Sequence, residues 1–334
     1  MRLDRRRRRV RMRAALVCAA AAGLFACGRK LDLPHEPDPN GVVGDVAYNV
    51  KATWHDMPVL VDLVLTRGSV LYGVDASGRV RSWFFGSGAE NTSLDLPESV
   101  IVASDTLRDA VCLCEGRNRT LWVAYARPRP TLLQWNTRDE PIAIDSGLVR
   151  DAAFQQFGGI AADPDSDFVY VSDRGASTVT KYAPSRDGGR RVATLCAPGD
   201  GDHFVRQPRG LFAFGDSLLV ADTGKNWVQV VSTRTPFAGR GQITGTMAEP
   251  LALQNPLDVW VDPNGFYYVT DAGHSRVLKL TRRGLVKEVV TERDPRAAGR
   301  PSTLAASETL VWVEDPDSSR VTVYQLNTTS EGLP

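Results

Sequence analysis

Two aspartates in this chain stand where a carboxylate is expensive. Asp62 interrupts Leu60-Val61-Asp62-Leu63-Val64-Leu65, and Asp258 interrupts Pro256-Leu257-Asp258-Val259-Trp260-Val261. A charge inside an apolar run costs free energy unless something pairs with it. Brought together, two carboxylates would bind a hard cation or a cationic ligand group, and a divalent cation is the cofactor such a pair would take. Arg209 holds the neighbouring place in a third run, Pro208-Arg209-Gly210-Leu211, and suits an anionic group. His55 and His203 fall in the connectors that lead into such runs. Familiar catalytic signatures are missing: there is no Gly-x-Ser-x-Gly elbow, no His-Glu-x-x-His and no phosphate-cradling glycine loop.

These residues depend on a repeat for their placement. A short pattern recurs, in which an apolar strand ends in Asp, a tight turn follows, and a Val-containing strand comes next. The plainest copies are Val169-Tyr170-Val171-Ser172-Asp173, Leu219-Val220-Ala221-Asp222 and Tyr268-Val269-Thr270-Asp271. The strand-ending positions fall at 75, 125, 173, 222, 271 and 315, a period of about 49 residues, which is the range of propeller blades. Six units fit the chain. The strands are apolar at successive positions, as expected when neighbours cover both faces of a sheet. Inner strands opening at Gly159 and Gly210 lie where a side chain would crowd the axis. The Asp-x-Gly turns, such as Asp222-Thr223-Gly224, need a turn acceptor and a permissive residue, so these aspartates read as structural. The expected fold is all-β: a six-bladed β-propeller of four-stranded antiparallel blades.

Pro208-Arg209-Gly210-Leu211, Pro256-Leu257-Asp258-Val259, Asp262-Pro263-Asn264-Gly265 and Ser275-Arg276-Val277 resemble the NHL repeat family of six-bladed propellers. The resemblance covers residues 45–328 and implies the fold, while the family includes binding platforms, scaffolds and some enzymes. Calcium-dependent lactonase-type propellers ring the channel with Glu and Asn. Here the corresponding ring reads Asp62, Ala110, Gly159, Gly210, Asp258 and Thr303. Amidating-lyase propellers hold zinc with several inner-strand histidines, and this chain has four His in all. Neither template transfers.

The last unit runs out of residues for an outer strand. Residues 46–54, Val46 through Trp54, are expected to complete blade 6 and close the ring, which removes an exposed sheet edge. A protein closed in this way is expected to be a monomer.

The N-terminus divides into a basic segment with five consecutive arginines, Arg5–Arg9, an apolar stretch Ala14–Ala26, and Leu24-Phe25-Ala26-Cys27. The apolar stretch is too short to span a bilayer, and the sequence reads as a lipoprotein signal over 1–26. Cys27 is then the lipid-bearing residue. A Pro-rich tether occupies 27–44, and a polar tail 329–334 ends the chain. The expected localisation is exported and lipid-anchored to the cell envelope, with Gly28 resembling outer-membrane sorting in a Gram-negative cell, on the periplasmic or surface face. Removing residues 1–26, with eight Arg and one Asp, takes 40 basic and 39 acidic residues to 32 and 38. The remainder is acidic, which argues against nucleic acid as a partner. Two functions are carried forward. One is a binding or assembly platform for an envelope or extracellular protein, peptide or glycan. The other is a metal-assisted hydrolase or lyase at the Asp62/Asp258 end of the channel.

Overall fold

The computed structural model describes residues 48–84, 99–102, 105–137, 142–245, 252–291 and 299–327. The signal segment, Cys27, the tether and the tail lie outside the described residues. Six antiparallel sheets follow one another along the chain. Blades 4 and 5 have four strands each, opening with inner strands Pro208–Phe214 and Pro256–Val261. Blade 1 has three described strands, Leu60–Leu65, Val70–Asp75 and Val80–Phe84; residues 85–98, which follow them, are not described. Blade 2 adds an extra strand, Ser99–Val102, ahead of its inner strand Asp105–Glu115. Blade 3 adds a short parallel strand, Phe204–Val205, outside its outermost strand Arg190–Pro198.

Blade 6 is built from both ends of the propeller. Leu304–Ala306, Leu310–Asp315 and Arg320–Leu326 come from the C-terminal side, and Tyr48–Trp54 supplies the outer strand. Tyr48 pairs with Leu326 and Trp54 with Val321. The N-terminal strand therefore closes the ring as its sequence implies. It also grips blade 5: Tyr48 donates its backbone N–H to Glu288 at 3.0 Å, and its hydroxyl lies 2.9 Å from that of Tyr268.

The core is distributed over the seams between blades. The described residues gather into six apolar clusters, and each joins two neighbouring blades. Tyr170, Val179 and Leu195 of blade 3, for example, pack on Leu211, Leu218 and Val231 of blade 4. A middle strand such as Val169–Asp173 is buried at every position, because each of its faces meets a different seam. Burying one such Leu or Val side chain contributes about 1.5–3 kcal/mol, so the seams hold the disc together.

The strand-ending aspartates pin connectors to turns. Asp173 accepts the N–H groups of Gln155, Gln156 and Ala176 at 2.8, 3.1 and 3.0 Å. Asp271 accepts from Gln254 N–H at 2.6 Å and from the Arg276 guanidinium at 2.7 Å. Both carboxylates are thus occupied in fixing backbone, which is the structural role their turn motif implies.

Candidate functional site

The inner strands set a common register around the axis. Leu63, Leu113, Ile160, Leu211, Val259 and Leu304 each pair with the residue two places before their blade's strand-ending position. The residues immediately before them form one layer: Asp62, Cys112, Gly159, Gly210, Asp258 and Thr303. Blade 2 corrects the sequence reading, which put Ala110 in this ring. A register shift between Ala110 and Cys112 matches those between Leu60 and Asp62 and between Phe157 and Gly159, so Ala110 corresponds to Leu60 and Phe157, and Cys112 takes the place.

The side chains of this layer point toward the next blade. Asp62 accepts its own neighbour's amide, Leu63 N–H, at 2.9 Å, and reaches across the seam to Leu113 N–H of blade 2 at 2.8 Å. Asp258 does the same two seams earlier, taking Val259 N–H at 2.8 Å and Leu304 N–H of blade 6 at 3.1 Å. Thr303 links the two. Its hydroxyl lies 2.8 Å from Asp258 Oδ2 and 3.5 Å from Asp62 Oδ1. A hydroxyl carries one proton and can accept another, so Thr303 donates to one carboxyl while accepting from the other when that one is protonated.

Where the layer has no side chain, the reason is space. A Cβ on Gly210 would lie 2.3 Å from Asp258 Oδ1, and one on Gly159 would lie 3.0 Å from the Arg209 carbonyl oxygen. Glycine in blade 4 is what lets the Asp258 carboxylate occupy its position.

Burial raises the titration range of both aspartates. For Asp62 the nearby charge of Asp258 raises it further, and the amide donors of Leu113 and Leu63 offset part of the rise. For Asp258 burial outweighs the donors Leu304, Thr303 and Val259. Two carboxyls joined through one hydroxyl titrate as a pair, which therefore holds a proton above the ordinary carboxylate range. A third acid, Glu314, sits in the seam between blades 6 and 1. It is 1% exposed, accepts Leu60 N–H at 3.2 Å and the Ser302 hydroxyl, and burial pushes its carboxyl up to about 7.

A cavity of about 180 Å³ lies along the axis, and Asp62, Asp258, Thr303 and Arg209 line it. Two residues further along each inner strand stand Val64, Cys114, Ala161, Phe212, Trp260 and Ala305. This layer pairs two large rings with four smaller side chains. Phe212 and Trp260 meet edge-on at 5.0 Å, and Trp260 packs against the seams of blades 1 and 2, 6 and 1, and 5 and 6. Its indole therefore crosses the axis and narrows the cavity beyond the carboxylates.

The structure brings together Asp62, Asp258 and Arg209 as cavity-lining residues. It does not bring the histidines to them. His55 is exposed after the closing strand, and His203 is exposed beside the outer edge of blade 3, stacked on Phe204 at 5.1 Å. Sequence reasoning gave no role to Thr303, Cys112, Phe212 or Trp260. The signal for them is register: each place is fixed by its pairing with the second strand, counted back from the strand-ending position. Cys112, Cys114 and Cys196 are free thiols, and burial pushes the Cys196 thiol up to about 12.

As a metal nest the pair is a poor fit. Each of the four carboxylate oxygens of Asp62 and Asp258 already accepts one amide, the local Leu63 and Val259 N–H groups on one oxygen of each and the Leu113 and Leu304 N–H groups of the next blade on the other. A hard divalent cation takes six or more oxygens. Among the described residues no three His, Cys, Asp or Glu side chains gather as a metal-binding group.

Six sheets closed around one axis, with the first strand completing the last, define the chain as a six-bladed β-propeller. Its repeats make it an NHL-like propeller, and comparison with known proteins agrees. No family model matches the chain. Over 217 residues it is 24% identical to NHL repeat-containing protein 3 of Mus musculus and 23% to that of Homo sapiens, covering 59% of this chain. The chain spans about 60% of the length of these relatives. Among solved structures it is similar to virginiamycin B lyase from Staphylococcus aureus, with a TM-score of 0.56 at 9% identity over 84% of this chain and 100% of the other. It is also similar to the PQQ-bound aldose sugar dehydrogenase of Streptomyces coelicolor, with a TM-score of 0.53 at 12% identity over 84% of this chain and 98% of the other. Such distant likenesses show the fold alone.

Proposed function

We propose that this protein is an exported, lipid-anchored component of the cell envelope whose propeller binds a protein, peptide or glycan partner without transforming it. The observation that carries the binding reading is the use made of the axial carboxylates. Asp62 and Asp258 spend their oxygens on amides of the adjoining blades, so the most reactive-looking groups of the molecule serve to hold a rigid scaffold. Rigid scaffolds with variable connectors are the usual setting for recognition surfaces. The anchoring part rests on Cys27 after its basic and apolar leader. Crosslinking in intact cells, followed by recovery of the protein from the membrane fraction, tests both parts. The expected result is one dominant partner crosslinked to membrane-bound protein; recovery from the cytosol without lipid would overturn the envelope reading.

A second reading has one observation in its favour. The Asp62–Thr303–Asp258 chain is a proton-holding group at an open cavity, the kind of group general acid–base chemistry uses. Metal analysis of the purified protein, with an ester and lactone screen, separates the two. A bound equivalent of Ca²⁺ or Zn²⁺ lost in Asp62→Ala or Asp258→Ala, with activity lost alongside it, would establish a metal-assisted hydrolase or lyase.

A further inference from the structure

The mouth of the cavity is asymmetric. One layer outside the carboxylates, the inner strands present Val61, Gly158, Arg209, Leu257 and Ser302 to the cavity. Arg209 on blade 4 stands opposite Val61 on blade 1. Val61 is 46% exposed, one of three large apolar side chains with that degree of exposure among the described residues. An apolar side chain held open beside a buried carboxylate pair is not explained by packing.

Arg209 is equally unexplained. Its Nε is enclosed, and it has no hydrogen-bond partner. Among the described residues it has no ion pair, although Asp258 lies on the adjoining blade. Gly158 lets the backbone of blade 4 approach closely here, since a Cβ on it would lie 2.2 Å from the Pro208 carbonyl oxygen and 3.1 Å from the Arg209 Cα. Two further arginines act on Arg209 through their charge. Arg174, in the turn after the second strand of blade 3, and Arg300, in the connector entering blade 6, add their charges to Arg209, and burial together with these two lowers its pKa. Neither has an acidic partner among the described residues. Three uncompensated guanidinium groups repel one another, and an enclosed one with an unmade hydrogen bond costs free energy until an acceptor arrives.

We infer that this mouth binds an amphipathic organic carboxylate, its head group on Arg209 and its apolar body against Val61 and Leu257 as it enters the cavity. This rests on the binding reading above and names the chemistry of the ligand. A planar guanidinium matches a carboxylate by two parallel hydrogen bonds, and the apolar wall opposite selects against small hydrophilic anions. The carboxylate pair lies deeper and, holding a proton, sets less negative charge against the incoming anion.

The test is calorimetric titration of the full chain at neutral pH with octanoate as the probe. Octan-1-ol and octylammonium serve as head-group controls, and acetate tests the head without the tail. Octanoate is expected to bind saturably, with octan-1-ol, octylammonium and acetate each weaker by about tenfold or more. Arg209→Gln is expected to weaken octanoate by about tenfold while leaving the melting temperature in place. Arg300→Gln, on an exposed connector, gives a smaller loss in the same direction, and Arg190→Gln on the outer strand of blade 3 gives none. Absence of saturable octanoate binding, preference for octylammonium, or equal affinity in wild type and Arg209→Gln would overturn the inference. Crosslinking to an envelope partner in wild type, together with no saturable octanoate binding by wild type, would sink this inference alone and leave the binding-platform reading standing.

Discussion

The carboxylate of Asp62 on blade 1 accepts the backbone N–H of Leu113 on blade 2 at 2.8 Å, and this bond crosses the seam between the two blades beside its apolar cluster. Asp258 makes the same bond to Leu304 one seam before the closure of the ring, at 3.1 Å. With Thr303 between them, the two stitch four consecutive blades, 5, 6, 1 and 2, at the axis. The stitched arc includes the seam where the two ends of the propeller meet.

A carboxyl whose folded-state pKa is raised makes stability fall as pH rises. The folded protein keeps a proton that the unfolded chain has released above about pH 4, so the contribution is fully present below that value. It is lost as pH climbs through the raised range of the Asp62–Asp258 pair and of Glu314. Denaturant unfolding between pH 4.5 and 8.5 should show wild type losing stability with pH, and Asp62→Ala losing less. Equal slopes in the two proteins would mean that the pair is ionised throughout and that the shared-proton reading is wrong.

Gly210→Ala places a methyl group 2.3 Å from Asp258 Oδ1. Either the carboxylate leaves Leu304 N–H unpaired or blades 4 and 5 separate, and overpacking of this kind costs about 1–3 kcal/mol. The variant should melt several degrees lower. In the Gly210→Ala, Asp258→Ala double variant the two costs should not add, because the first methyl then occupies the space that the carboxylate vacated.

Trp260→Ala removes the ring that crosses the axis and touches three seams. Large aromatic truncations in a core cost about 3–5 kcal/mol, and this one also joins the cavity to the space beyond it. Thermal unfolding measures the first effect. The second should appear as faster exchange of the Leu63, Leu113 and Val259 amides, because these residues line the cavity.

Tyr48→Phe tests the closing strand without breaking its ladder. The hydroxyl receives Lys279 Nζ at 3.0 Å and meets Tyr268 at 2.9 Å, so its loss leaves a buried ammonium short of an acceptor. The expected cost is about 1–3 kcal/mol. Deleting residues 48–54 should go further and abolish cooperative unfolding, because the edge of blade 6 is then bare.

Cys27→Ser should abolish incorporation of radiolabelled palmitate and shift the protein from the membrane to the soluble fraction of the envelope. Lipid label that survives in the serine variant would place the acyl group elsewhere.

The fold was legible because the repeat carries it. Strand-ending aspartates about 49 residues apart, apolar runs buried on both faces and a missing outer strand at the C-terminus were enough to draw six blades and name the closing segment. Asp62, Asp258 and Arg209 were legible as residues out of place in apolar runs. The histidines misled, because nearness in sequence to an inner strand says nothing of distance from the axis: His203 precedes Pro208 by five places and still ends outside blade 3. Cys112 was hidden because the spacing between the ring and the strand-ending residue varies from blade to blade, so counting back along the chain put Ala110 there. Thr303 was legible as a ring position, but its type gave no sign that its hydroxyl would stand between two carboxylates.

Tyr48 lies opposite Leu326 in an antiparallel pair, and Asn49 Nδ2 donates to Asn327 Oδ1 at 2.8 Å. The first strand of the propeller therefore has no partner until Arg320–Leu326 has been made. Until then it is a sticky edge, and every residue between the two strands belongs to the loop their pairing will close, which slows folding more than it weakens the folded state. Joining Asn327 to Tyr48 by a short turn and cutting at an exposed connector would convert this most distant contact into a hairpin. The permuted chain would draw the same disc and fold faster, because a ring of blades has no intrinsic beginning and its closing contact would become local.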